Sequence, residues 1–413
     1  MAQPLVIIVG AGPAGSVLAG LLARHDVDTL LLDKAAFPRQ KTCGDYLSPG
    51  TVRLLDQLGL LTLVCEAGAQ RLWGMTVASP DGTTFRAKFP AIVEGQASPF
   101  ALSISRATLD SVLLKWAQRS GVRCVEGFRV TDLIWENGQV RGVAGIGSKG
   151  RETYRGRIVV GADGRDSVVA RRLGLHRPHP TLHRTALVAH YEGAAKLIDY
   201  GLISVGVRSY CILNPIGKRL VNACIVADHG VVRGWKGHVE ELFDVMLQEF
   251  PLAVRTLGDT QRSGPIRCLG PLAFHTGRSA KAGALLIGDA AGFYDPFTGE
   301  GVGHALSGSQ LAAREITSAL TEGDGYLAES RLMRFDRQQR AAFKSRKRLG
   351  VTLQTVIRHP LTANLVVRFL RGRQSFADLL LGVVGDLLPP SALTGILHPA
   401  LLLKISGKDL KRP

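Results

Sequence analysis

The apolar run Val6-Ile7-Ile8-Val9 passes directly into Gly10-Ala11-Gly12-Pro13-Ala14-Gly15, and the segment after it, Ser16 to Arg24, is compatible with a helix. A β-branched strand, a tight glycine turn and a helix start together form the opening of a Rossmann-like α/β domain, whose first turn receives a phosphate-bearing ligand. Gly10 allows the turn, Gly12 lets backbone approach a pyrophosphate, and Gly15 lets helix pack on strand. A second strand, Thr29 to Leu32, ends in Asp33-Lys34. A carboxylate there, about 20 residues past the glycines, accepts hydrogen bonds from an unphosphorylated ribose such as that of FAD or NAD.

Two later stretches choose between those cofactors. They are Val159 to Ser167 (VVGADGRDS) and Leu285 to Gly303 (LLIGDAAGFYDPFTGEGVG). Gly288 and Asp289 close an apolar strand, Ala284 to Ile287, and the chain then runs through Gly292, Pro296, Gly299 and Gly301 into a helix expected near Val302. A carboxylate at a strand end can take the hydroxyls of a ribityl chain, and N–H groups at the next helix start can face the polar edge of a flavin. Both ends of an FAD are then held.

With those residues in view, the chain resembles the FAD-dependent family of geranylgeranyl reductases and menaquinone reductases, within the larger group of aromatic hydroxylases and flavin halogenases. The matching residues are Gly10 to Gly15 with Asp33; Pro38-Arg39-x-Lys41-x-Cys43-Gly44 followed by Leu47-Ser48-Pro49; Arg106 with Asp110; Gly161-Ala162-Asp163-Gly164; and Gly288 to Gly301. The resemblance implies that Asp33 meets the adenosine ribose, that Arg106 lies near the phosphates, and that Asp289 meets the ribityl or pyrophosphate region. It implies cofactor and nicotinamide contacts at Asp163-Gly164. The expected cofactor-binding set is Gly10, Gly12, Pro13, Ala14, Gly15, Asp33, Lys34, Arg39, Arg106, Asp163, Gly288, Asp289, Gly299, Gly301 and Val302.

A chain of 413 residues, 46% hydrophobic, is long enough for two lobes and an appendage. The nucleotide motifs assign residues 1–75, 100–180 and 270–340 to a discontinuous FAD-binding domain. Gly74 to Pro90 and Gly201 to Asp228 alternate apolar and polar residues, which predicts hairpins of a mixed or antiparallel sheet. Residues 76–99 and 181–269 are therefore assigned to a substrate domain, and 341–413 to a helical, basic and apolar C-terminal region. The fold class expected is α/β with an α+β substrate lobe. The six cysteines are dispersed without CxxC pairs, so neither a metal site nor a disulfide framework is expected. The apolar start is the first strand of the cofactor fold and lacks a basic flank and cleavage site, so a cytoplasmic protein is expected.

Outside the nucleotide motifs, Arg39 and Lys41 bring two cations close to Cys43, a combination that lowers a thiol pKa or holds an anionic head group. The resemblance adds a link between this cysteine and substrate protonation; the competing reading is an inert cysteine in a loop packed on the cofactor. Tyr294 is the second catalytic candidate, by analogy with segments that pass beside the flavin, and it too can be an apolar wall. His304 reads as a surface or supporting residue. Where prenyl reductases carry a motif resembling Tyr-x-Trp-x-Phe-Pro, this chain has Tyr210-Cys211-Ile212-Leu213-Asn214-Pro215, with an aliphatic group and an amide replacing two aromatic surfaces. Tyr210, Ile212, Asn214, Pro215, Pro296 and Phe297 are the expected substrate contacts. No WxWxIP signature is present, which disfavours halogenation.

Positive charge is concentrated at the C-terminal end. Residues 331–413 hold 16 lysines and arginines against 4 acids, +12 of the formal +17. Arg331, Arg334, Arg337, Arg340, Lys344 and Arg348 recur at helical spacing, followed by the apolar stretches LTANLVV, FADLLLGVVGDLL and GILHPALLLKI. These are shorter than the roughly 18 apolar residues of a spanning helix. Either attachment to an anionic membrane surface or a helical cap over the substrate cavity fits them. Nucleic acid is not an expected partner, since no recognition motif accompanies the charge. The expected activity is hydride transfer from reduced FAD to a C=C bond of a large apolar prenyl, quinone or similar substrate, with NAD(P)H as electron donor directly or through a partner reductase. The alternative is a monooxygenase using the same reduced flavin and oxygen, and a non-catalytic flavin-bound membrane protein is a third reading.

Overall fold

The computed structural model describes residues 5–91, 99–193, 199–217, 219–235, 237–322 and 327–393. The apolar run at Val6 is the centre of a six-stranded sheet in the order Ala280–Lys281, Ala284–Leu286, Ile158–Gly161, Val6–Val9, Thr29–Leu32, Arg123–Val125. Five strands are parallel and the Ala280–Lys281 edge is antiparallel. Alternate residues explain why these strands are apolar throughout. Val6, Ile8, Leu31, Val160 and Leu285 face the helices Pro13–Ala23, Arg106–Arg119 and Gly301–Thr321. Ile7, Val9, Leu30, Leu32 and Val159 face the antiparallel meander Arg129–Glu136, Gln139–Gly147, Gly150–Arg155.

The predicted hairpins are part of a second, seven-stranded sheet. Its order is Gln261–Leu269, Arg184–Glu192, Leu220–Asp228, Ser209–Ile216, Tyr200–Val205, Gly74–Ala78, Thr84–Lys88. The sheet is mixed, because Tyr200–Val205 runs parallel to Gly74–Ala78 while the other pairings are antiparallel. Leu187, Cys211, Leu213 and Ile225 bury one face under the helices Val239–Gln248 and Pro251–Leu257. Val188, Ile203, Cys224 and Val226 point to the opposite face, toward the nucleotide lobe and the C-terminal helices.

Those helices, Glu329–Arg358, Pro360–Arg371 and Gln374–Val384, are docked on the body. Ala363, Leu370, Ala377 and Leu381 join the cluster of Met75, Ala87 and Phe89. The edge strand Thr84–Lys88 is closed by side chains: Lys88 N–H donates to Asp378 at 2.7 Å and Gln374 Nε2 donates to the Arg86 carbonyl at 2.9 Å. The expected basic row is present on the first helix but is partly drawn inward. Arg331 pairs with Glu322, Arg334 with Glu315 at 2.7 Å and Arg340 with Asp336 at 3.1 Å. Among the described residues, no helix is long and apolar enough to cross a membrane. The stretch GILHPALLLKI lies outside the described residues.

Candidate functional site

A continuous cavity of about 1050 Å³ runs from the glycine turn to the face of the seven-stranded sheet. It stands at the upper end of the range of roughly 300–1,000 Å³ usual for small-molecule sites, room enough for a cofactor and a second ligand.

At its nucleotide end, backbone geometry dictates the sequence. Gly10 has φ +104°, and a side chain there would strike the Ala162 carbonyl of the neighbouring strand end. A side chain at Gly15 would strike the Gly10 carbonyl, so helix and turn can pack only with glycine at both. At Gly12 a methyl group would enter open space 3.4 Å from Arg39 Nη2 and 3.9 Å from Arg106 Nη2. The first turn of Pro13–Ala23 therefore faces two guanidinium groups across a gap suited to a diphosphate. Asp110, buried, holds both cations: it accepts two bonds from Arg106 at 2.8 Å and lies 3.1 Å from Arg39. Asp33 accepts from Ala11 N–H at 2.7 Å and Ala35 N–H at 2.8 Å. Its carboxylate thus clamps the turn as well as facing the cavity, and each oxygen keeps a lone pair for a ligand hydroxyl. Lys34 lines the same end from an exposed position.

Across the cavity, the sequence Gly288 to Val302 folds as a short 3-10 turn, Gly288–Ala291, then a loop, and then the helix Gly301–Thr321. Gly288 has φ +56° and Gly299 φ +65°, and Gly299 packs under the Tyr46 ring. Asp289, Gly299, Gly301 and Val302 line the cavity at this helix start. Lys41 also lines it, with its ammonium 3.0 Å from where a methyl on Gly164 would stand. Burial and the Arg106 guanidinium lower the Lys41 pKa, against the pull of Asp289.

Residues 4–343 match the family model described as FAD binding domain. The chain belongs to that family. It is an FAD-dependent oxidoreductase. It is 30% identical over 336 residues to menaquinone reductase of Mycobacterium tuberculosis, covering 76% of each chain. It is 28% identical over 359 residues to digeranylgeranylglycerophospholipid reductase of Methanocella arvoryzae, covering 82% of this chain and 83% of the relative. Its fold is similar to that of the myxobacterial chondrochloren halogenase CndH, with TM-score 0.80, 23% identity and 97% of each chain covered. The glycine turn, the Arg39–Arg106 pair and the Gly299–Val302 helix start fit an FAD, whose diphosphate would lie at the two arginines.

The far end of the flavoprotein's cavity is apolar. Met75, Val188, Ile203, Ile212 and Phe297 line it, with the Asn214 amide among them. Between the two ends sits Cys43, its thiol against the Arg106 guanidinium. The expectation of a lowered thiol pKa is corrected here. Burial pushes the Cys43 thiol up and outweighs Arg106, which is the nearby cation in place of Arg39 and Lys41, while Asp45 pushes in the same direction as burial. A thiol kept protonated is a proton donor rather than a nucleophile.

A polar cluster that the sequence did not announce holds this loop. Asp45, in the left-handed region at φ +52°, accepts from Arg106 N–H at 3.0 Å and Asn222 Nδ2 at 2.7 Å, and lies 2.9 Å from His190 Nε2. Asn222 Nδ2 also donates to the Cys43 carbonyl at 2.8 Å. The available signal was a single polar residue inside each buried apolar strand, His190 in TALVAHYE and Asn222 in LVNACIVAD.

Several expected contacts are elsewhere. Tyr294 does not line the main cavity; it lies edge-on to His179 and faces a second cavity of about 660 Å³ behind the Gly288–Val302 loop. His304 faces that second cavity too, with its ring 4.4 Å from Phe343. Tyr210 is fully buried beneath Phe297, its hydroxyl donating to Asp295 at 2.6 Å, so it props the loop from behind. Pro215 has the opposite strand parity from Ile212 and Asn214 and is absent from the cavity lining. Asn214 does line the cavity, but its Nδ2 donates to the Gly44 carbonyl at 2.9 Å and is committed to the Cys43 loop. Asp163 lines the main cavity as expected, while its carboxylate accepts from Ser167 Oγ and from Val168 N–H, which caps the short helix Val168–Arg172. Pro296 and Phe297 are in the cavity wall as expected.

Proposed function

We propose that this flavoprotein reduces a C=C bond in a large apolar, lipid-like substrate, with NAD(P)H as the source of electrons, directly or through a partner reductase. The observation that carries the reading is the protonated Cys43 thiol at the junction of the FAD cradle and a wall of aliphatic side chains. The names of the relatives, reductases of a menaquinone and of a digeranylgeranyl lipid, support the same substrate class. FAD, when bound and reduced, supplies a hydride to one carbon of the double bond. Cys43 donates its proton to the other carbon, and Arg106 offsets the thiolate charge until solvent restores the proton. Asp45, His190 and Asn222 fix the Cys43 loop, while Arg39 and Arg106 would hold the diphosphate and Asp289 the ribityl region. Met75, Ile203, Ile212 and Phe297 exclude water and align the chain of the substrate.

The reading keeps the division into an FAD domain (1–75, 100–180, 270–340), a substrate domain (76–99, 181–269) and a C-terminal region (341–413). It also includes peripheral attachment of a cytoplasmic enzyme to an anionic membrane surface. The test is an anaerobic incubation of the FAD-loaded enzyme with NADPH and a geranylgeranyl lipid or menaquinone, followed by mass spectrometry. Gain of two hydrogens per double bond is expected. No anaerobic product, together with incorporation of one oxygen atom on admitting labelled O₂, would replace the reductase with a monooxygenase.

A further inference from the structure

The helix Pro360–Arg371 is amphipathic in an unusual sense, with apolar side chains on two opposite faces. Its inner face, Ala363, Val367 and Leu370, is 3–4% exposed and packs on the body. With 3.6 residues per turn, Leu361, Leu365 and Phe369 follow one another along the opposite side. They are 79%, 66% and 45% exposed. A row of three large apolar groups turned outward is poorly matched to water.

The residues around this row are basic. Arg368, three residues after Leu365 on the same helix, and Arg373 are both exposed. The Arg373 guanidinium lies 4.1 Å over the Phe369 ring, and Arg368 pairs with Asp81 at 2.7 Å. Long arginine side chains bordering leucines and a phenylalanine are the arrangement in which an interfacial helix buries its apolar groups at the acyl boundary while the cations meet anionic head groups. Twelve residues are too few to span a bilayer, so the contact is along the surface.

We propose that the outward row Leu361, Leu365 and Phe369, with its arginine border, is the surface by which this flavoenzyme docks on an anionic lipid membrane. The inference deepens the lipid-substrate reading and rests on it for its purpose only, because docking is measured without substrate. Full-length, FAD-loaded protein is sedimented with phosphatidylcholine vesicles and with vesicles that also contain phosphatidylglycerol. Binding to the anionic vesicles is expected. The Leu361→Asn/Leu365→Asn double variant should weaken it by about tenfold or more, and Arg373→Gln by about fivefold, with flavin content and melting temperature unchanged. Absent binding at low salt overturns the proposal, as does binding equal in wild type and double variant, the result expected if residues 394–413 cover the row or supply the contact. Concentration-dependent self-association that the double variant abolishes overturns it in favour of a second copy of the chain. Turnover of detergent-dispersed substrate, measured without vesicles, reports separately on the reductase reading.

Discussion

At the nucleotide end of the cavity, Gly10, Gly12, Asp33, Arg39 and Arg106 come from the first 106 residues and bond or pack against one another. At the sheet end, Met75, Val188, Ile203, Ile212 and Cys224 come from five different strands and present only apolar or thiol atoms. The first end must create particular backbone angles and a particular charge balance, so few residue types can occupy each position. The second must exclude water and fill volume, which many residue types do equally well. The contrast has measurable consequences, because errors at the two ends should cost different things.

The largest expected effect is at Asp110, whose removal leaves Arg106 and Arg39 without their shared buried partner. Asp110→Ala should cost about 3–5 kcal/mol in the flavin-free protein, the range for breaking a buried ion pair. The loss should be smaller with FAD bound, because the diphosphate supplies negative charge to the same two cations. Denaturant melts with and without FAD measure the difference; an equal loss in both would mean that the arginines do not face the cofactor.

Asp33 and Asp289 separate clamp from ligand contact. Asp33→Ala leaves Ala11 and Ala35 N–H without their acceptor and should lower stability by about 1–3 kcal/mol along with flavin affinity. Asp289→Ala should lose flavin, by at least tenfold in dissociation constant, with little change in the melting temperature of the flavin-free protein. Titration of both variants with FAD and thermal melts decide it, and equal stability losses would erase the distinction.

Cys43 stands at the boundary. Cys43→Ser should keep FAD and its reduction by dithionite while slowing product formation about tenfold or more. Because burial raises the thiol pKa above its ordinary value near 8.5, the wild-type thiol stays protonated through neutrality. Product formation should therefore fall as pH rises through that elevated value. The same alkaline limb appearing in Cys43→Ser would assign it to another group.

The smallest effects belong to the sheet end. Ile212→Trp should shift preference among prenyl chain lengths or ring-bearing substrates, with at most about 1–3 kcal/mol of overpacking. Asn214→Phe should do more harm, because the Gly44 carbonyl loses its donor and the Cys43 loop its anchor, about 1 kcal/mol for the bond alone. Relative kcat/KM for two chain lengths reads the first change and thermal melts the second. Identical selectivity in Ile212→Trp and wild type would remove Ile212 from the substrate wall.

The sequence by itself determined the strand-turn-helix opening, the strands that end in Asp33 and Asp289, a helix start near Val302 and the identity of the cofactor. Each of these depends on backbone that only glycine allows, or on strands buried on both faces, and such constraints act over a few neighbouring residues. It also marked the alternating strands of the second sheet. Only the tertiary structure decided which side chains of those strands meet in the cavity. Tyr210 and Ile212 share a strand face, yet Phe297 from a segment some eighty residues later covers one of them and lies beside the other. The charge state of Cys43 was decided in the same way, because desolvation depends on everything that packs around a thiol, and His190 and Asn222 are brought to Asp45 in its loop from two distant strands. Local sequence carries backbone geometry, whereas burial and electrostatic balance are sums over neighbours that exist only once the chain has folded.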